Sequence, residues 1–287
     1  MVETHPTAAM PALQQLNTAL RNMRQAWPHT WPGLPLVFEH AWQQLAWAEP
    51  RKGSSAQRLL AFGRSVAEQV EHDGAQRCAL GSEPAYHNRL HIADTLVCMS
   101  YLLQGSRHLR VPGGQLPQVA AMALSIMAGH DFLHPGGSNA QPGEFEARAL
   151  QDLQASMDAA GLSALDRQTL AHCIMATDPT RVKAFHQQVR SQVFDLRRPD
   201  CLAVLVQEAD IMASTLPHTS PGLTQALASE WAPSLPDAAR KLLLPQNRLL
   251  FLEHAALFSS PAAQWLGLEA VKQGQMAHIQ NQLAQPA

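Results

Sequence analysis

Val119-Ala-Ala-Met-Ala-Leu-Ser-Ile-Met-Ala-Gly129 runs straight into His130-Asp131-Phe132-Leu133-His134-Pro135-Gly136. The first part is apolar or small on every side, which predicts a helix buried all round rather than one with a wet face. It is too short for the ~20 apolar residues that a bilayer span needs, so it belongs in a globular core. At its end an imidazole and a carboxylate stand side by side. A carboxylate delivered by a buried helix is costly unless it is hydrogen-bonded or coordinates a metal. The stretch therefore predicts helices packed around a buried helix, with a polar site at that helix's end.

A second apolar segment, Leu202-Ala-Val-Leu-Val-Gln-Glu-Ala-Asp210-Ile211-Met212, repeats the arrangement with Asp210 near its end. Tyr86-His87-Asn88-Arg89-Leu90-His91 puts two imidazoles at i and i+4, one turn apart on a helix face. A metal shared by His91, His130, Asp131 and Asp210 would satisfy these buried polar groups together. Imidazole and carboxylate ligands without sulfur suit Zn, Mn, Fe or Mg. The competing readings are a salt-linked cluster without metal and, for the His87/His91 pair, a solvated helix face.

Outward from these segments, Ala, Leu and Gln recur at spacings of three and four, and no run alternates with period two. The whole chain is accordingly expected to be all-α. Helices are expected at 8–26, 35–48, 56–73, 88–104, 116–130, 143–159, 163–176, 182–192, 200–214, 237–258 and 262–284. Breaks such as Trp31-Pro-Gly-Leu-Pro35, Val111-Pro-Gly-Gly114 and His134-Pro-Gly-Gly137 separate them. Segment 216–236, with its four prolines, reads as a loop with a short helix. Pro50-Arg-Lys-Gly-Ser-Ser55 reads as a linker, dividing the chain into an N-terminal helical appendage (1–55) and a catalytic domain (56–287).

Composition narrows the function. The 287 residues can bury a core without disulfides or structural metal. Lys+Arg 21 against Asp+Glu 23 gives a net charge of −2, which disfavours nucleic-acid binding by charge. Hydrophobic residues at 46% and charged ones at 15% exclude disorder. Four cysteines without a C-x-x-C pair read as reduced thiols. Met1 to Met10 lack a basic region followed by an apolar run, so a cytoplasmic protein without membrane partner is expected. Fourteen histidines, against two tyrosines, direct attention to imidazole chemistry.

The order H…HD…D is similar to that of the HD-domain metal-dependent phosphohydrolases, and the longer motifs resemble class I cyclic nucleotide phosphodiesterases. Tyr86-His-Asn-x-x-His91 resembles their YHNxxH, and His130-Asp-Phe-Leu-His-Pro-Gly-Gly-Ser-Asn139 their HDxxHPGxxN. Ile174-Met-Ala-Thr-Asp178 is close to LATD, and Glu208-Ala-Asp210-Ile211 to ADL or ADI. Gln246 to Phe258 is a weaker copy of QxxFIDxIVxPLW, and Gly143-Glu-Phe-Glu146 a faint echo of SxLENHH. The matches keep the family's order over 86–258.

The resemblance implies an all-α phosphodiesterase-like bundle and a two-metal hydrolase. His91, His130, Asp131 and Asp210 would form the first metal site, with Asp131 bridging to a second metal held mainly by waters. His134, Glu146 and Thr177 would hold those waters, with Asp178 behind them. His87 would protonate the leaving oxygen as a metal-bridging hydroxide attacks phosphorus. Gln246 would meet a purine, and Asn88 would serve the substrate side. Zn with Mg or Mn is expected, Fe being an alternative; the partner is a small-molecule phosphodiester, and homodimerisation is open. Arg148 and Ala149 replace two family histidines, Leu249 replaces a clamping phenylalanine and Ala213 an asparagine, so the substrate is open. Two other classes fit the scaffold. One is an HD-fold diiron oxygenase drawing on His134, His172 and Glu146 for its second iron, and the other is a catalytically silent HD-fold binding module.

Overall fold

Helices joined by short turns, and no strand, make up residues 9–112 and 116–284, the part of the chain that the computed structural model describes. The expected helix start at 8 and the Gly113-Gly114 part of one expected break lie outside these residues. In chain order the helices are α1 (Ala9–Ala26), α2 (Leu34–Gln43), α3 (Ser55–Ala79), α4 (Arg89–His108) and α5 (Leu116–Gly129). Next come α6 (Glu144–Asp152), α7 (Gln154–Ala159), α8 (Ala164–Met175), α9 (Pro179–Arg190) and α10 (Pro199–Thr215). The last are α11 (Ser220–Trp231), α12 (Pro236–Leu242), α13 (Pro245–His254), α14 (Pro261–Trp265) and α15 (Leu268–Ala284). The all-α expectation is met.

Helix α5 is the axis of the bundle. Ala120 to Gly129 are all buried, as an all-apolar helix requires, and α2, α3, α4, α8 and α10 pack around it. Its closest neighbour is α3. A Cβ at Gly63 would come within 2.5 Å of the Phe38 ring and 2.7 Å of Ser125 Oγ, so only glycine lets the two helices meet there. Ser125 Oγ donates to the Leu59 carbonyl at 2.7 Å across the same seam. Helices α4, α5 and α10 also touch one another, which brings His91, His130, Asp131 and Asp210 into one region. No helix among the described residues is long and apolar enough to cross a membrane.

Both sides of the expected linker at 50–55 feed one hydrophobic cluster, with Leu16, Leu20, Leu34 and Phe38 fully buried beside α3, α4 and α5. Polar contacts reinforce the join. Arg24 of α1 forms a two-pronged ion pair with Asp94 of α4, which is completely buried. Glu71 Oε2 accepts from Trp31 Nε1 at 2.9 Å and Leu34 N at 2.7 Å, while its Oε1 takes Arg89 Nη1 at 2.6 Å. Glu83 grips Arg89 from the other side, and the guanidinium lies 5.0 Å over the Trp27 ring. The described part of segment 1–55 is therefore built into the bundle.

Several expectations need correction: the 35–48 helix ends at Gln43, the 143–159 helix is divided at Leu153, and three further segments differ. Segment 216–236 contains a twelve-residue helix, α11, instead of a loop with a short helix. The expected 237–258 helix is two, because Pro245 opens α13 and cannot continue α12. The 262–284 helix is interrupted at Gly267, whose φ of 74° suits only glycine without strain.

Candidate metal centre

Asn88 begins the site by capping α4. Its Oδ1 accepts from Leu90 N at 2.9 Å and His91 N at 3.1 Å, and its Nδ2 donates to the carbonyls of Pro84 and Ala85. Its side chain thereby bonds to the backbone on both sides of the turn. The cap fixes His91 in the first turn of α4, where it is 4% exposed. Just past the end of α5, His130 Nδ1 donates to the Met127 carbonyl at 2.9 Å, which turns Nε2 inward. Asp131 follows it, and α10 contributes Asp210.

His91, His130 and Asp131 form a metal-capable group, and Asp210 reaches both of its imidazoles. His91 Nε2 lies 3.2 Å from both Asp131 Oδ2 and Asp210 Oδ1; His130 Nε2 lies 3.3 and 3.5 Å from the same oxygens. Burial opposes charge on every member, but mutual attraction outweighs it. Both imidazoles are raised above their ordinary value, His91 by Tyr86, Asp131 and Asp210, and His130 by Asp131 and Asp210. Both carboxyls are pushed below theirs, with His130 and His91 prominent among the causes. His130 Nε2 is nevertheless buried without a hydrogen-bond partner. Two imidazole nitrogens and two carboxylate oxygens, one of the nitrogens orphaned, fit a divalent cation of the Zn type.

Beside this cluster stands a second pair that the sequence did not reveal. His87 Nδ1 contacts Glu230 Oε1 at 2.6 Å. Glu230, on α11, also accepts from Tyr86 N, His87 N and Gly137 N, so one carboxylate fastens the 86–87 and 136–137 loops together. Burial would raise its pKa, but the bonds and charge of His87 hold it down at about 2. The His134 ring stacks on His87 with centroids 3.9 Å apart, and its Nδ1 accepts from Gly136 N. Burial first, and then the neighbouring His87, lower the His134 pKa to about 4, which keeps that ring neutral at pH 7. His87, His134 and Glu230 have ligand atoms close enough for a cation. The short contact to Glu230 already occupies His87 Nδ1, however, and the group reads better as an oriented imidazole with its carboxylate.

Further carboxylates flank Asp131. Glu146 is buried on α6 and accepts from Asn139 Nδ2 at 3.0 Å; its pKa is raised by burial and then by Asp178 and Asp131, which face the same region. Asp178 Oδ1 caps α9 through Thr180, while its Oδ2 is buried without a hydrogen bond, 4.0 Å from Arg181 Nε. Thr177 turns its hydroxyl to the Ile174 carbonyl at 2.8 Å. Gln246 is exposed at the start of α13 and makes no hydrogen bond to the cluster among the described residues. His172 pairs instead with Asp200 at 3.0 Å, and no metal-capable group among the described residues includes it.

The chain matches no known family model. No curated protein matches it. Among solved structures it is similar to that of LmjPDEB1 in complex with IBMX, with a TM-score of 0.62 and 16% sequence identity. The match covers 92% of this chain and 90% of the other. LmjPDEB1 is a cyclic nucleotide phosphodiesterase with an all-helical bundle, and this chain has a bundle of that fold.

Proposed function

We propose that the chain is a metal-dependent phosphodiesterase of the HD-domain type, hydrolysing a cyclic nucleotide or another small phosphodiester. The observation that carries this reading is the convergence of His91, His130, Asp131 and Asp210, with His130 Nε2 buried and unpartnered, at the end of a fully buried helix. The fold it shares with LmjPDEB1, whose structure holds the small molecule IBMX, supports it. Those four residues would hold one divalent cation, with Zn favoured by the donor set. Asp131, with His134 and Glu146 near it, would serve a second, Mg or Mn, whose waters Thr177 and Asp178 would help to hold. Bound there, such cations lower the pKa of a coordinated water to about 7 and neutralise phosphate oxygens.

The chain's own residues supply the rest. Glu230 holds His87 by Nδ1, which leaves Nε2 free to donate a proton to the departing oxygen. Because Glu230 stays ionised, it stabilises the positive ring that donation requires. Neutral His134 stacks on that ring and limits its rotation without adding a competing charge. A diiron oxygenase would draw on His172, which is engaged with Asp200, and a silent module would have no need of the His87–Glu230 pair.

Metal analysis of the purified protein, with assays on cyclic AMP, cyclic GMP and bis(4-nitrophenyl) phosphate, tests the reading. Bound Zn with Mg or Mn and hydrolysis of at least one diester are expected. Two irons per chain with no hydrolysis would overturn it.

A further inference from the structure

A groove of about 930 Å³ opens where the start of α11, the turn between α12 and α13, and one face of α15 meet. None of the metal-cluster residues, nor His87 or Glu230, lines it. Its walls are largely aliphatic, with Leu242, Leu243, Leu244, Pro245, Val271 and Ile279. Leu243 and Leu244 are 49% and 47% exposed, an unusual outlay of apolar surface at one turn. The volume falls in the ~300–1,000 Å³ range of small-molecule sites.

Two features distinguish the groove from a packing defect. Gly274 lies inside α15 and lines the groove; a glycine there costs ~1 kcal/mol relative to alanine. A Cβ at this position would meet nothing within 4 Å, and its φ is not in the left-handed region. Neither packing nor backbone demands the glycine, and its effect is to keep the groove clear. The second feature is Arg248. Nη1 donates to Ser214 O at 2.8 Å, and Nη2 donates to Thr215 O at 3.3 Å and Gln275 Oε1 at 2.9 Å. All three acceptors are uncharged, and the guanidinium forms no ion pair among the described residues. Burial with no acidic neighbour lowers its pKa to about 10. The carbonyl end of α10 offsets part of the charge. Among the described residues three of the five N–H groups are used, which leaves two for an anion.

We propose that this groove binds a free amphipathic carboxylate, with its anionic head on Arg248 and its aliphatic body along Leu242 to Leu244 and over Gly274. Cation and apolar wall lie together, so neither a neutral alcohol nor a cationic amphiphile of equal length has the full complement. The inference does not depend on the hydrolytic reading.

Calorimetric titration of the metal-loaded protein with decanoate, decan-1-ol and decyltrimethylammonium, all below their aggregation limits, tests it. One decanoate per chain is expected, at least tenfold tighter than decanol, with no binding of the ammonium. Arg248→Gln should bring decanoate down to the level of decanol. Gly274→Phe fills the groove and should abolish binding with metal content and melting temperature unchanged. Should Arg248→Gln fail to fold, because it also caps α10, Gly274→Phe decides alone. The proposal is overturned by absence of saturable decanoate binding, by equal affinities for decanoate and decanol, or by unaltered binding in Gly274→Phe.

Discussion

His87 has one ring nitrogen committed to Glu230 and stands outside the group of His91, His130 and Asp131, which under the proposed function separates proton donation from metal binding. His87→Ala should keep its metal yet lose roughly 10²–10⁴ in turnover on an alkyl diester. With a nitrophenyl leaving group, which departs without a proton, the loss should be much smaller; equal losses on both would contradict the role. Glu230 gives a pH signature. Its folded pKa of about 2 lies below the ordinary carboxylate value, so the stability it contributes is complete above that ordinary value, ~4.3, and is lost as pH falls towards 2. Glu230→Gln should therefore trail the parent chain in urea midpoint at pH 6, and the gap should narrow at pH 3. A constant gap would mean that the carboxylate charge does not matter. His91, His130, Asp131 and Asp210 were legible in sequence because each is attached to an apolar segment that makes a lone polar group expensive. Glu230 carried no such mark. It sits among Ala, Ser and Trp, and only folding brings it to His87.

At the level of the helices, caps and breaks decide where side chains point. Asn88→Ala would free the Leu90 and His91 amides and fray the turn that holds His91. A loss of about 1 kcal/mol in urea unfolding is expected, together with weaker metal retention. Unchanged metal affinity would show that His91 is held by packing alone. The same logic explains the misread segment. Prolines in 216–236 suggested a loop, but Pro221 occupies the first turn of α11, where its missing N–H costs nothing, and Pro233 follows the helix's end. They bound a helix without interrupting one. Pro245, by contrast, does end a periodic pattern that runs through it. Apolar periodicity identifies a helix face, whereas the boundary depends on backbone geometry that periodicity does not carry.

Across the whole molecule, the cluster ties together three helices whose approach brings charged groups out of water. A cation bound only by the folded chain stabilises it by ~4 kcal/mol when free metal is a thousand times its dissociation constant. Dialysis against a chelator should thus lower the melting temperature, re-addition of Zn should restore it, and Asp210→Asn should respond to neither. A melting curve insensitive to chelator would dismiss the metal. Legibility at this scale was uneven. The all-α class followed from periodicity, while a Pro, Gly and Ser stretch such as Pro50 to Ser55 says nothing of what packs on either side of it. The pairing of Arg24 with buried Asp94 has a further consequence, which concerns how the chain is made. Its partners are 70 residues apart, and α1 can bury its own Leu16 and Leu20 against α4 only once α4 exists. At about 5–20 residues per second of synthesis, α1 leaves the ribosome about 4–14 s before its docking surface. For that interval the newborn chain carries a bare greasy stripe along α1, and its yield in a cell depends on whatever shields that stripe until α4 arrives.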